Sequence, residues 1–238
     1  MKTVTEWSLE FDLLYDNITS HKAPGLELYE KSVFLTRAEE AVVLGLYRGT
    51  FGDAFEATEE VTAYLNTLIK QTDGIAIPGA ALAAMKHIQE GTQIYSLADD
   101  VLFITLEWAK ITPDGCSSEV QVPVIPVTQD EYFRTVRDPF KKQNGRKVLR
   151  VEQGKGEQSV SSETATLTRY SELISDYTVS SYTYRYLAKP APIILYDTNQ
   201  SSLKINNQTG PKTCLLPESI HQTILAEAVR LAKAVWES

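Results

Sequence analysis

Apolar residues recur at helical spacing near both ends of the chain and at two-residue spacing through its middle. Trp7, Phe11, Leu14 and Ile18 fall four, three and four residues apart, one face of a helix, with Asp12 and Asp16 off that face. Lys22-Ala23-Pro24-Gly25 breaks it. Thr36-Arg37-Ala38-Glu39 has the form of a capping box, so a second helix is predicted to start at Thr36. Val42, Val43, Leu46 and Tyr47 carry it to Gly49. A third helix is predicted from Thr58-Glu59-Glu60, with Val61, Tyr64, Leu65, Leu68 and Ile69 as its stripe and Asp73-Gly74 as its end. Between Ile75 and Gln89 the pattern is weaker, and Pro78 is the signal for a further short helix through His87.

The period changes near residue 99. Val101, Phe103 and Thr105 alternate with Leu102, Ile104 and Leu106, and both sets are largely apolar, which predicts a strand covered on both faces. Val120 to Val127 is β-like, but Pro123 and Pro126 place it at a sheet edge. Thr128-Gln129-Asp130-Glu131 is a second capping box opening a short helix through Arg137. Asn144-Gly145 signals a tight hairpin, and 147–152 and 159–169 read as strands around Gly154-Lys155-Gly156. Tyr182, Tyr184 and Tyr186 mark a further strand, ended by Lys189-Pro190-Ala191-Pro192. Ile193 to Tyr196 is extended, and Asn206-Asn207 is a turn.

Helix returns at the end. Pro217 stands at a first helical position beside Glu218, and Ile220, Ile224, Ala228, Leu231, Ala232 and Val235 form one face, widened by Leu225, Val229 and Trp236. So wide a face needs packing on more than one side. The economical architecture is an α+β fold: a helical bundle from both chain ends, residues 1–96 plus 211–238, with a mainly antiparallel β subdomain, 97–210, inserted in it. Trp7, Phe11, Val61, Leu65, Ile224 and Leu231 are expected in the shared core.

Composition narrows the function more than the fold. The chain has 238 residues, 23 Lys and Arg against 31 Asp and Glu, and a net charge of -8. A surface built throughout for nucleic acid is excluded. Two cysteines exclude a disulfide scaffold. Glu6 and Glu10 interrupt any signal-peptide core, and the longest uncharged apolar stretch, 74–85, is too short for a bilayer and contains Pro78. A soluble protein made in a reducing cytoplasm is expected, with no membrane partner.

The chemistry-bearing residues form no complete set. His21, His87 and His221 lack a second histidine at metal spacing, and His87 with Glu90 is half of a di-iron motif whose second copy is absent. Cys116 and Cys214 belong to no C-x-x-C, and nothing singles out a base for either as nucleophile. Gly154-Lys155-Gly156 lacks the spacing and the following helix of a phosphate loop. Asp99-Asp100 reads as a solvated strand entry, and the tyrosine row as packing rather than a base-stacking platform. No catalytic residue, metal site or cofactor is expected, and the chain does not read as an enzyme.

One asymmetry stands out. Arg134, Arg137, Lys141, Lys142, Arg146, Lys147, Arg150 and Lys155 share a window with two acids, a net +6 that leaves -14 on the remainder. A solvated hairpin is one reading. The other is an interface: a basic arm around Asn144-Gly145, with Leu149 and Val151 as its apolar face, that contacts DNA phosphates or the acidic face of a neighbouring copy. An acidic protein with one basic arm is suited to head-to-side self-association, as a heterologous ring requires.

Several stretches together resemble a known family. They are Glu10-Phe11-Asp12-Leu13-Leu14-Tyr15-Asp16-Asn17-Ile18 with Ala23-Pro24-Gly25 and the run from Tyr29 to Thr36; Phe55-Glu56-Ala57-Thr58-Glu59-Glu60; the run from Tyr184 to Leu195; and Cys214-Leu215-Leu216-Pro217-Glu218-Ser219-Ile220-His221. They are similar to virion structural proteins of crAss-like phages, in particular the head–tail connector (adaptor) ring proteins. The resemblance implies a homo-oligomeric ring, a dodecamer matching the portal, that joins portal to tail in the virion. It also implies contact with the portal protein and other tail ring proteins, and genomic DNA passing non-specifically through the channel during ejection. An acidic lumen would let DNA slide, because like charges repel. The alternatives are a minor capsid or tail-completion protein, or a nucleic-acid-binding module or enzyme with a cryptic site.

Overall fold

A computed structural model describes residues 2–19, 25–49, 59–79, 82, 85, 87–115, 118–155, 169–196 and 204–236. Their architecture is mixed α+β, five helices and an eight-stranded mixed sheet. The chain divides into two compact units, residues 1–69 with 189–238, and residues 70–188. The sequence placed these boundaries at 96/97 and 210/211. None of the helices is long and apolar enough to cross a membrane, among the described residues.

The first unit contains α1 (Val4–Thr19), α2 (Leu28–Arg48), α3 (Glu59–Leu65) and a last helix, Glu218–Trp236. Thr3 and Glu6 cap α1 reciprocally: the Thr3 amide donates to Glu6 Oε2 at 2.6 Å and the Glu6 amide to Thr3 Oγ1 at 3.3 Å. Trp7, Phe11 and Tyr15, four residues apart, form its buried face, so Tyr15 takes the place expected for Leu14. Lys31 of α2 reaches Asp12 of α1 at 2.7 Å. The last helix buries Ile220, His221, Ile224, Leu225, Ala228, Val229 and Ala232. Of the expected core residues, Trp7, Phe11, Leu65 and Ile224 are fully buried, while Val61 and Leu231 are half-buried.

The start of α2 differs from the prediction. It is capped at Glu27, whose amide donates to Glu30 Oε2 at 2.9 Å, and it ends at left-handed Gly49, φ 76°. Thr36 lies mid-helix, because its hydroxyl serves a remote backbone instead of its own helix end. It accepts from the Ile193 amide at 3.1 Å, and one turn earlier Ser32 accepts from the Leu195 amide at 2.9 Å. Two hydroxyls thus supply the hydrogen bonds that a neighbouring strand would give the extended segment Ile193–Leu195. That segment is also bridged to Lys212.

Glu39 is buried beside this segment, and the thiol of Cys214 donates to its Oε1 at 3.0 Å. Among the described residues its other oxygen has no hydrogen-bond partner. Burial, with the charge of Glu40 adding to it against the thiol bond, pushes the Glu39 carboxyl up to about 7.

The second unit holds the sheet: β1 (Ile69–Asp73), β2 (Ile75–Ala76), β3 (Gln93–Ser96), β4 (Val101–Thr112), β5 (Val120–Val127), β6 (Val148–Lys155), β7 (Arg169–Ile174) and β8 (Thr178–Ala188). The order is β1-β8-β4-β5-β6-β7-β3-β2. The pairs β2–β3, β3–β7, β4–β5, β4–β8 and β6–β7 are antiparallel, and β5–β6 is parallel. The third predicted helix therefore stops early: Asn66–Leu68 is a 3-10 turn, and Ile69 opens a strand. The outermost strands, β1 and β2, are separated in sequence by Gly74 alone, so one segment serves both edges. The Gly74 amide donates to Tyr182 O of β8 at 2.8 Å, and the Ile77 amide to Ile94 O of β3 at 2.9 Å. The sheet is nearly a barrel.

Its interior holds Tyr95, Leu97, Ile111, Val122, Val148, Leu173 and the row Tyr182, Tyr184 and Tyr186. Those three rings follow one another at 5.4 Å. Strand β5 is not at an edge, contrary to the proline argument. It pairs with β4 over Val120–Pro123 and with β6 over Val124–Val127. In this register each proline sits in a half-strand with one partner, which meets the edge requirement of proline locally.

Gly74 is required by space. A Cβ there would lie 2.6 Å from Tyr182 Cδ1 and 3.3 Å from Tyr95 Cβ. Tyr182 cannot yield freely, because its hydroxyl donates to buried Glu107 at 2.7 Å. Gly74→Ala is expected to lower unfolding free energy by about 1–3 kcal/mol, the cost of overpacking, read by urea denaturation. A second prediction concerns Glu39. Unfolded chain releases this proton near 4.5 and folded chain near 7, so the folded state binds more protons between those values. Stability is therefore expected to fall as pH rises through that window, by on the order of 3 kcal/mol. Glu39→Gln should remove most of the difference between urea melts at pH 5 and pH 8.

Candidate interaction surface

Parallel strands cannot be joined by a tight turn, so β5 and β6 require a crossover. Residues 128–147 supply it, and most of the basic window lies on it. Its helix, α4 (Tyr132–Arg137), is held by Tyr132, which packs with Leu149, Val151 and Ile174 and donates its hydroxyl to Gln89 Oε1 at 3.0 Å. The predicted capping box does not form. The cap is Glu131, without a side-chain bond. Phe133, Arg134 and Arg137 are exposed.

Residues 138–147 follow as a loop closed by its own bonds. Asp138 accepts the Phe140 amide on its carboxylate at 2.9 Å, and its carbonyl takes the amides of Lys141 and Lys142. Asn144 and Lys147 exchange backbone bonds at 3.1 and 3.2 Å, and Lys147 Nζ donates to Phe140 O at 2.6 Å. The loop is pinned to the β7–β8 turn. Buried Gln143 donates to Asp176 Oδ1 at 3.0 Å, and Gly145 lies against the Tyr177 ring, where a Cβ would approach to 3.3 Å. Phe140 projects from this frame 89% exposed, and Phe133 is 66% exposed.

The eight predicted basic residues separate into groups. Arg134, Arg137, Lys141, Lys142 and Arg146 are exposed on the crossover, and Lys147 is half-buried and spent on Phe140 O. Lys155 ends β6, and its side chain lies outside the described residues. Arg150 is buried, its Nε 2.8 Å from Glu107 Oε2, so it is part of the sheet interior and not of an exposed arm. Leu149 and Val151 are likewise buried in the sheet and offer no docking face. The Asn144-Gly145 hairpin reduces to a single bridge, because β6 pairs with β5 and β7 and residues 138–142 bond among themselves. Sequence reasoning missed Phe133 and Phe140. The available signal was that Phe140, between Pro139 and Lys141, belongs to no apolar stripe.

The remaining candidates are tied into the fold. His87 bonds Thr92 Oγ1 and Leu82 O, each at 3.1 Å. Glu172, fully buried, accepts the amides of Ile88 and Gln89, the Thr92 hydroxyl and the Gln153 amide group. His221 donates to Leu216 O at 2.9 Å, and burial holds it below the ordinary imidazole range. Asp100 takes Lys70 and the Tyr186 hydroxyl. Cys214 is spent on Glu39; the thiol's own burial, with the charge of Glu39 and the bond to it, raises it far above its usual range. His21, Cys116 and Gly156 lie outside the described residues. Among the described residues no three His, Cys, Asp or Glu side chains gather as a metal site.

Comparison with known proteins supplies what chemistry does not. The sequence profile of the phage tail ring protein 3/4 family matches residues 1–237. Among curated proteins, the chain is similar to ring protein 3 of Bacteroides phage crAss001, 31% identical over 97% of this chain and 94% of that one. It is also similar to ring protein 4/5 of the same phage, 32% identical over 98% of this chain and 93% of that one.

Burial separates the basic residues experimentally. Arg150→Glu leaves Glu107 buried without its partner and should lower stability by about 3–5 kcal/mol. Arg146→Glu, on the exposed loop, should change it by less than about 0.5 kcal/mol. Thermal and urea melts of the two variants check the contrast.

Proposed function

This chain belongs to the phage tail ring protein 3/4 family, and we propose that it is the subunit of a homo-oligomeric ring at the head–tail junction, where it joins portal to tail. The observation that carries this reading is the match to two curated ring proteins over nearly the whole of both chains. In this reading the protein is a non-enzymatic virion component, made in the host cytoplasm. The helices from both chain ends work as one bundle, and the β subdomain is inserted between them. Twelve copies match the portal, other tail ring proteins stack on the ring, and genomic DNA passes through its lumen without sequence-specific contact.

The exposed bases of the crossover suit this role. A chain of net charge -8 repels its own copies at long range, and a local positive patch overcomes that repulsion in one orientation only. We assign Arg134, Arg137, Lys141, Lys142 and Arg146 to a contact with an acidic face of a neighbouring copy. Charge steers the encounter, and the exposed phenylalanines beside it supply apolar area.

Electron microscopy of purified protein, alone and with portal, tests the ring. Closed rings or portal-bound rings are expected, and a chain that stays monomeric under both conditions overturns the reading. Replacing Lys141, Lys142 and Arg146 together by Glu should weaken association about tenfold or more at low salt. Wild-type association should weaken as salt rises through about 0.1 to 0.5 M. Circular dichroism of the triple variant should match wild type.

A further inference from the structure

Phe140 presents an exposed aromatic anchor, and among the described residues the helical unit presents a groove that could seat one. A groove of about 360 Å³ is lined by α1, α2 and the last helix, with Leu26, Tyr29, Val33 and Phe34 among its walls. Glu30 and Arg37 are the charged residues that line it. Asp16 and Glu30 bring negative charge to the Tyr15 side, where they add to burial in holding the Tyr15 hydroxyl above the ordinary phenol range. An aromatic side chain has roughly 150–250 Å² to bury, and a groove of this size takes one ring.

The loop that carries Phe140 has the charge opposite to that of Asp16 and Glu30. Lys141 and Lys142 follow the ring directly, and Arg137 and Arg146 are exposed on the same crossover. The frame is already set: the Asp138 turn, the Lys147 bond to Phe140 O and the Gln143–Asp176 pin fix the backbone around the ring. Ordering costs at the interface are correspondingly small.

We propose that Phe140 of one copy docks into the α1–α2–last-helix groove of the next copy, with Lys141 and Lys142 meeting Asp16 and Glu30 at its rim. The proposal rests on the homo-oligomeric reading above and names the contact that builds it. Knob and groove are different patches, so the interface is heterologous, and repetition of it produces a ring where its rotation closes.

Mixing two variants tests this directly. Phe140→Ala removes the knob and, at 89% exposure, leaves the fold intact. Leu26→Trp fills the groove, and circular dichroism checks its folding. Sizes are read by sedimentation at a concentration where wild type assembles, with portal added if wild type requires it. Each variant alone should associate at least tenfold more weakly. Mixed in equal amounts they should form dimers and nothing larger, because each pair keeps one knob and one groove. Asp16→Lys is a second groove variant. It should weaken assembly on its own, and adding Lys142→Asp in the same chain should restore it in part. Rings at wild-type yield from either Phe140→Ala or both groove variants overturn the contact while leaving the ring reading in place. Loss with Phe140→Ala but with neither groove variant means that the knob docks elsewhere, and also overturns it. Wild-type protein that never associates, with or without portal, overturns the ring reading itself.

Discussion

A sheet of eight strands ordinarily ends in two edges, each a row of unpaired amides and carbonyls that templates pairing with other chains. In this protein β1 and β2 are one segment interrupted at Gly74, so the edges meet. The absence of one Cβ permits this. Gly74 lets the β8 and β3 sides approach until the rings of Tyr182 and Tyr95 touch edge to face at 5.4 Å. The approach drives Tyr182 inward to Glu107, and Glu107 in turn holds Arg150 from β6. A chain of contacts thus runs from the closing glycine through the tyrosine row to the parallel strand pair. An ion pair of this kind is weak evidence for net stability, since burying two charges costs about what their attraction returns. Its effect here is registration: it fixes which residues of β4, β6 and β8 lie level inside the sheet.

The same arrangement limits strand addition, because one short segment serves both ends of the sheet. In the ring reading proposed above, contacts with other copies then fall to side chains on connections. The parallel β5–β6 pair then matters, because it is the pairing that demands a long crossover. Tyr132 and Gln143 hold that crossover down at two points, and Phe133, Phe140 and five bases face solvent between and around them. In the ring reading, the topology that limits a non-specific route to association also provides the place for a specific one.

Much of this was legible in the sequence, and the exceptions share a cause. Helices at both ends declared themselves by period and by caps such as Pro217-Glu218, because those signals are local. Strand β4 was legible as a strand for the same reason, but it is not covered on both faces as expected: Leu106 is exposed and Leu102, Phe103 and Ile104 are half-buried. Thr36 was misread because its partner, Ile193, is 157 residues away, and a hydroxyl that bonds a remote backbone looks in sequence like one that caps its own helix. Ile69 was misread because it continues the helical stripe of Val61, Leu65 and Leu68, while its strand state depends on β8. The prolines of β5 pointed to an edge, since sequence carries no sign that a strand changes partners halfway. The basic window was visible as charge, but Arg150 could not be told from Arg146 without Glu107.

Phe140 shows how a site of this kind can be read without any catalytic signature. An exposed aromatic forfeits roughly 1.5–3 kcal/mol that burial would supply. A fold under no other demand gains by tucking such a ring away or by carrying a polar residue there. This loop does neither: it spends an aspartate, a lysine ammonium and a buried glutamine on a backbone whose principal projecting group is that ring. Preorganisation of this sort lowers the cost of binding, not the energy of the isolated chain. In the ring reading proposed above, the surface of another copy is the economical cover for the phenyl ring, and the lysines beside it favour an acidic one.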